Sequence, residues 1–291
     1  MRIWPAKRKK PRKMPEGTFF SDGRDVCALL EKHLGAPVES AEILNYHGYL
    51  SLKVKIGGEL YKVAECESPE RALLAEKALK AVARDNGPVP GFVCRTDAVI
   101  VCEWVHGSSC KKENRDVRER HVLACQEALY NTVVPDTEDA GNQYVHLESL
   151  ITRFQKAVPG VISDHRINAI VSSLRERLPA PDVPRILHPD LTPTNIIVDG
   201  SGPVIIDNEV IGIGAGFEFD VWNSGEALYG RRNLKGIEAY VRRFHERCPA
   251  PTLFAYQAVW DDFRRLRRAI KEIKKGRRSK ARRLINQIYI P

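Results

Sequence analysis

The run His188-Pro189-Asp190-Leu191-Thr192-Pro193-Thr194-Asn195 leads into the apolar stretch Ile196-Ile197-Val198. The turn residues Asp199-Gly200-Ser201-Gly202 follow, and then a second apolar stretch, Val204-Ile205-Ile206, ends in Asp207. Two apolar runs about a polar turn pair as a hairpin. Pairing about a centre near Ser201 sets Asn195 opposite, or nearly opposite, Asp207. An amide oxygen and a carboxylate then stand side by side at the open end, with Asp190 in the loop just before. Three converging oxygen donors suit Mg2+, which takes a few hard oxygen ligands and fills its octahedron with phosphate oxygens and water. Asp, Asn and Pro also favour plain turns, so the reading rests on the full spacing of a hairpin between two polar clusters.

This segment resembles the catalytic loop and metal-binding strand of the aminoglycoside phosphotransferase and choline kinase superfamily, the small-molecule branch of the protein-kinase-like fold. The protein-kinase pattern is H-R-D-L-x-x-x-N followed by D-F-G. Here the first motif is HPDLTPTN and the second lies in IIDNE, and Pro189 in place of an arginine fits the small-molecule branch. The resemblance spans residues 40–225. It implies an α+β, two-lobed fold with a small β-rich N-lobe and a mostly helical C-lobe, and ATP and Mg2+ as cofactors. It further implies Asp190 as catalytic base or substrate-orienting carboxylate, Asn195 and Asp207 as metal ligands, and transfer of a γ-phosphoryl group to a hydroxyl.

Such a fold needs a cation on the nucleotide phosphates, and Lys62 is the candidate. Leu60, Lys62 and Ala64 share one strand face by two-residue alternation, which suits a face that roofs a nucleotide better than one facing water. Glu76 has Ala72, Leu73, Leu79 and Ala83 at helical spacing, an apolar face on which an unpaired carboxylate is costly. A Lys62–Glu76 pair is therefore expected, by similarity to the strand-lysine to helix-glutamate pair of kinases. An i,i+4 pair of Glu76 with Lys80 is the plainer alternative. Val99–Val105 resembles the hinge strand, where the backbone of Glu103 to Val105 would hold adenine. Asp220 resembles the buried aspartate that braces the catalytic loop. The phosphate loop should lie near residues 45–51, which hold one glycine where a Gly-rich series is usual. Asp207-Asn208-Glu209 replaces Asp-Phe-Gly, and Glu209 could assist a second metal.

These residues need elements to position them. Leu52, Val54 and Ile56 alternate with Ser51, Lys53 and Lys55, and Gly57-Gly58 marks a turn into a return strand at Leu60–Ala64. These are the two strand-like runs of the stretch 40–65. Ser21 is a cap for a helix near Asp22–Leu34. Ser68-Pro69-Glu70 opens a helix that runs to about Asp85, stopped by Gly87 and Pro88. Val93–Val105 reads as two short strands, Lys112–Leu178 as mostly helix broken at Pro135 and Pro159, and Glu218–Arg247 and Thr252–Ile288 as helices. The expected organisation is a basic tail over residues 1–16, an N-lobe over 17–105 and a C-lobe over 106–291.

The 291 residues, 43% hydrophobic and 29% charged, suit a globular chain. No apolar run reaches membrane-spanning length, so a cytoplasmic protein is expected. Seven scattered cysteines without a Cys-x-x-Cys argue against a zinc site or disulfide framework. The net charge of +9 is uneven: residues 1–13 and 263–283 together carry +18, leaving −9 on the rest. An acidic body favours a cationic acceptor. Basic ends favour an anionic acceptor such as a lipopolysaccharide-core sugar, or peripheral contact with the anionic inner face of a membrane. The expected partner is a small molecule or sugar. A catalytically weak regulatory module with a kinase fold is the alternative. A nucleic-acid-binding protein is disfavoured, because no aromatic residues interleave with the basic clusters and residues 188–207 would go unexplained.

Overall fold

The computed structural model describes residues 26–46, 49–134, 144–181 and 183–291. The N-terminal part comprises α1 (Val26–Leu34), β1 (Val38–Tyr46), β2 (Leu50–Ile56), β3 (Glu59–Glu65), α2 (Pro69–Arg84), β4 (Phe92–Thr96) and β5 (Val99–Glu103). The strands form one antiparallel sheet in the order β1-β2-β3-β5-β4. Three strands occupy the stretch where the sequence pattern showed two, because β1 runs on the β2 edge of the sheet with two register irregularities that blur its alternation. The β2–β3 turn needs its glycines: Gly57 and Gly58 both sit at positive φ, 58° and 87°. The expected cap of the first helix, at Ser21 and Asp22, lies outside the described residues.

Period-two alternation gives the sheet two apolar faces. Leu50, Leu52, Val54 and Ile56 join Val63, Val99 and Val101 against Leu30 of α1. On the other face Ala64, Ile100 and Cys102 meet Ala72, Ala75, Leu79 and Val82 of α2, in a core continuous with that of the C-terminal part. α2 starts as its sequence dictates, with Ser68 extended at φ −160°, its Oγ accepting from the Arg71 N–H, and Pro69 in the first turn.

The second part comprises β6 (Ser108–Ser109), α3 (Arg115–Asn131), α4 (Val145–Ala157), α5 (Asp164–Glu176), β7 (Arg185–Leu187), β8 (Ile196–Val198), β9 (Pro203–Ile205) and β10 (Gly212–Gly214). The helices α6 (Phe217–Tyr229), α7 (Leu234–Arg247), α8 (Thr252–Ala255), α9 (Gln257–Lys274) and α10 (Arg278–Ile285) complete it. β8 and β9 form the hairpin expected from residues 196–206, with β6 added as a third strand. Ile196 and Ile205 pair across it, both fully buried. One backbone bond ties the hairpin to the first part, and Gly107, just before β6, packs against the hairpin. The Ile205 N–H donates to Pro88 O at 2.7 Å. Gly107, at φ 148°, passes so close that a Cβ there would lie 2.4 Å from Val198 O.

α9 carries an apolar stripe, and the fold turns it inward. Phe263, Leu266 and Ile270 are buried in the common core, and the helix packs on α4, α6 and α10.

Truncating Ile205 to Ala removes a core side chain and loosens the hairpin. The expected cost is about 2–5 kcal/mol, read as a lower urea midpoint with an unchanged slope.

Candidate active site

The hairpin register fixes the site. Ile196 faces Ile205 and Val198 faces Pro203. The Ile206 N–H donates to Asn195 O at 2.8 Å. Asn195 therefore lies across from Ile206, and Asp207 stands one residue past the last rung. There the chain turns: Asp207 takes left-handed angles, φ 61° and ψ 44°. A residue with a Cβ rarely adopts these outside turns, and aspartate is among those that tolerate them best. Asn195 is buried, and its Nδ2 donates to Asp190 O at 2.9 Å and to Asp190 Oδ2 at 3.2 Å. The amide oxygen is left as the atom that can meet a cation.

The loop carrying Asp190 is held by one face of α6. The His188 N–H donates to Asp220 Oδ2 at 2.9 Å, Asn223 Nδ2 to Pro189 O at 2.7 Å, and Ser224 Oγ to Leu191 O at 2.8 Å. Burial pushes the Asp220 carboxyl up to about 8, although the His188 N–H opposes the shift. The His188 ring is also buried, which pushes its pKa down. Its Nε2 lies 3.3 Å from Ile206 O. A carbonyl only accepts, so Nε2 carries the proton of the neutral ring. Arg267 of α9 reaches the loop from the far side, donating to Asp190 Oδ1 at 2.6 Å and to Pro189 O at 3.2 Å.

Lys62 on β3 projects toward the hairpin. Its Nζ lies 2.7 Å from Asp207 Oδ1 and 3.1 Å from Glu209 Oε2, with its side chain 12% exposed. Burial pulls its pKa down, but Glu209 and Asp207 outweigh that and leave it above the ordinary lysine value. The expected Lys62–Glu76 pair is not formed. Glu76 pairs at 2.6 Å with Arg95 Nε and at 2.6 Å with Lys80 Nζ. The reason is positional. β4 brings the Arg95 guanidinium beside α2, and the tight turn Asn208–Val210 after left-handed Asp207 delivers Glu209 to the ammonium instead. Two carboxylates on one ammonium leave an excess of negative charge, and the Asn195 amide oxygen sits at the adjoining end of the hairpin. This donor set fits a hard divalent ion.

At the expected hinge, the Glu103 N–H donates to Gly91 O at 2.9 Å and the Trp104 N–H to Leu60 O at 3.0 Å. Those two amides are used within the sheet. Among the described residues no backbone carbonyl takes the Val105 N–H. Residues 47 and 48 of the expected phosphate loop lie outside the described residues.

The fold has known counterparts. The choline kinase LicA of Streptococcus pneumoniae superposes with a TM-score of 0.62 at 14% identity, over 90% of this chain and 97% of that one. A Thermobifida fusca protein assigned as a fructosamine-3-kinase gives 0.57 at 16% identity, over 90% and 98%. A thermostable aminoglycoside phosphotransferase APH(4)-Ia gives 0.53 at 16% identity, over 90% and 98%. The chain has the protein-kinase-like fold. Its small sheet-rich lobe and mostly helical lobe are those of that fold. No sequence-family description matches the chain, and no curated protein matches it by sequence.

Three contributors to the site went unread in the sequence. Asn223 and Ser224 stand three and four residues after Asp220, on one face of α6, so polar residues at that spacing in an apolar helix were a usable signal. Arg267 carried none, being one cation among twelve in its stretch.

Asp220 should mark the pH dependence of stability. Its raised pKa means the folded state keeps a proton that the unfolded chain has released. Its stabilising share is complete below the unfolded value near 4 and is lost as pH rises through about 8. Asp220→Asn keeps an acceptor for the His188 N–H and has no charge to bury. The urea midpoint of the wild type should thus fall relative to that of Asp220→Asn between pH 5 and pH 8, and parallel profiles would contradict this.

Proposed function

We propose that the chain is an ATP- and Mg2+-dependent phosphotransferase that moves the γ-phosphoryl group onto a hydroxyl of a small molecule or sugar. The observation that carries this reading is the meeting of Lys62 from the sheet lobe with Asp207 from the hairpin, beside Asn195 and Asp190. Related folds support nucleotide use: LicA has been crystallised with AMP, and APH(4)-Ia with AMP-PNP or ADP and hygromycin B.

Bound Mg2+ would neutralise the phosphate oxygens. Asp207 and the Asn195 amide oxygen are its proposed ligands, with Glu209 beside them. Lys62, positioned by those same carboxylates, is the cation for the nucleotide phosphates. Val105 offers its N–H, and Glu103 its place at the end of β5, to the adenine edge. Asp190 has Oδ1 held by Arg267 and Oδ2 by Asn195, so its carboxylate is fixed before an acceptor arrives. It would accept the hydrogen bond of the incoming hydroxyl, align the oxygen with the phosphorus and take the proton. Phosphoryl transfer depends mostly on positioning and charge neutralisation, and these side chains supply both. Glu76 has no place in this scheme, because Arg95 and Lys80 engage it.

A sugar of the lipopolysaccharide core is one acceptor of this class. Peripheral contact with an anionic membrane would rest on charge alone, since the apolar stripe of α9 lies in the core. No helix among the described residues is long and apolar enough to cross a membrane. Absence of sedimentation with anionic liposomes at low salt would remove the membrane contact.

Asp190→Ala should lower kcat by about 10²–10⁴-fold, while Mg–ADP affinity measured by calorimetry stays within about twofold of wild type. Asp207→Ala should weaken Mg–ADP binding instead. Wild-type turnover in Asp190→Ala would overturn the assignment. A paired comparison tests the charge partner of Lys62: Glu209→Gln should raise the KM for ATP, and Glu76→Gln should leave it unchanged.

A further inference from the structure

Beside Asp190 the C-lobe opens into a cavity of about 390 Å³. Its wall is basic. Arg153 of α4 and Arg264, Arg267, Arg268, Lys271 and Lys274 of α9 line it, against two acids, Asp190 and Glu226. Both acids are already engaged: Asp190 by Arg267 at 2.6 Å and Glu226 by Arg264 at 3.8 Å. Among the described residues no ion pair takes up Arg153, Arg268, Lys271 or Lys274. Arg264, 5% exposed, also has a buried Nε with no partner. A second cavity of about 360 Å³ shares Asp190, Thr192, Ala227 and Lys271 with the first and adds Lys111 and Arg118. The buried Nε of Arg118 is likewise unpartnered.

Burial of like charges together is unfavourable unless a counter-charge arrives. The cost shows on two of these groups. Burial, and then the neighbouring Arg264 and Arg265, lower the pKa of Arg268 despite Glu226. Burial, with Arg267 adding to it, lowers that of Arg153 despite Glu67. A surface cation could turn to water, but these surround a concave space that ends at the carboxylate meant to receive a hydroxyl.

We infer that the acceptor carries an anionic group, a phosphate or a carboxylate, which these arginines and lysines bind while its hydroxyl meets Asp190. The inference rests on the phosphotransferase reading and names the acceptor class for it. Guanidinium groups match phosphate and carboxylate oxygens in pairs of hydrogen bonds, and the lysines at the rim add charge that draws an anion in. An amine-bearing or quaternary ammonium acceptor would meet like charge on most of the wall. The same anion would offer Arg267 a second partner, and a guanidinium shared between acceptor and Asp190 would set the distance between them.

The test is equilibrium binding of glucose 6-phosphate, glucose and glucosamine to the protein saturated with Mg–ADP, three probes that share one ring and differ in charge. Glucose 6-phosphate should bind at least about tenfold more tightly than glucose, with an affinity that falls as salt rises, and glucosamine should bind most weakly. Lys271→Glu and Lys274→Glu, both exposed at the rim, should each weaken glucose 6-phosphate about tenfold or more. Lys235→Glu on α7, which lines neither cavity, should not. Equal affinity for the three probes, binding of none, or unchanged affinity in both rim variants would overturn the inference. Failure of Mg–ADP itself to bind is a separate result, and it removes the phosphotransferase reading.

Discussion

The site depends on one partly buried electrostatic contact between lobes. Lys62, on the central strand of the sheet, reaches Asp207 and Glu209, which belong to the hairpin end of the other lobe. Taking an ammonium out of water is unfavourable, and only well-placed carboxylates reverse it. Here they do, and the lysine stays charged. The contact therefore does two things with one geometry. It sets the sheet over the hairpin, and it holds a cation and its acidic partners where phosphate and a divalent ion would replace some of the interactions among them. The backbone bond from Ile205 to Pro88 fixes the same two lobes through groups that cannot rotate away.

The loop around Asp190 is irregular, and its polar backbone groups need partners that a strand or helix would have supplied. α6 provides them through Asp220, Asn223 and Ser224, and Arg267 of α9 adds a fourth contact. Every one of these bonds ends on His188, Pro189 or Leu191, the residues flanking Asp190. The loop is held from both sides by groups on rigid helices, α6 and α9, which would suit a reaction in which alignment contributes most of the rate. A buried carboxyl at position 220 is the cost of this arrangement, because one of the bracing groups must be an acceptor facing a backbone N–H.

α9 contributes to both the core and the cavity beside Asp190. Its apolar stripe belongs to the C-lobe core, its Arg267 touches the Asp190 carboxylate, and Arg264, Arg268, Lys271 and Lys274 line the cavity beside it. A helix so strongly amphipathic invites a membrane-surface reading from sequence. Packing against α4, α6 and α10 leaves that apolar face no lipid to meet, and turns the charged face into the wall of a pocket.

Much of the site was legible without coordinates. The order of polar cluster, apolar run, turn, apolar run and aspartate determines a hairpin with Asn195 and Asp207 at its end, because pairing about a short turn leaves few registers. The β2–β3 hairpin and the start of α2 at Ser68 follow equally from local rules. Three things were decided only by the tertiary structure. Glu76 takes Lys80 as helical spacing allows, and only the placement of β4 gave it Arg95 in place of Lys62 as second partner. Glu209 gained the lysine because Asp207 turns left-handed, a backbone choice that side-chain pattern does not announce. Arg267 reaches a residue 77 positions earlier in the chain, and no local periodicity encodes which of many cations a folded core will aim at one carboxylate. Short-range order is written in spacing, whereas the partner of a long charged side chain depends on where distant elements come to rest.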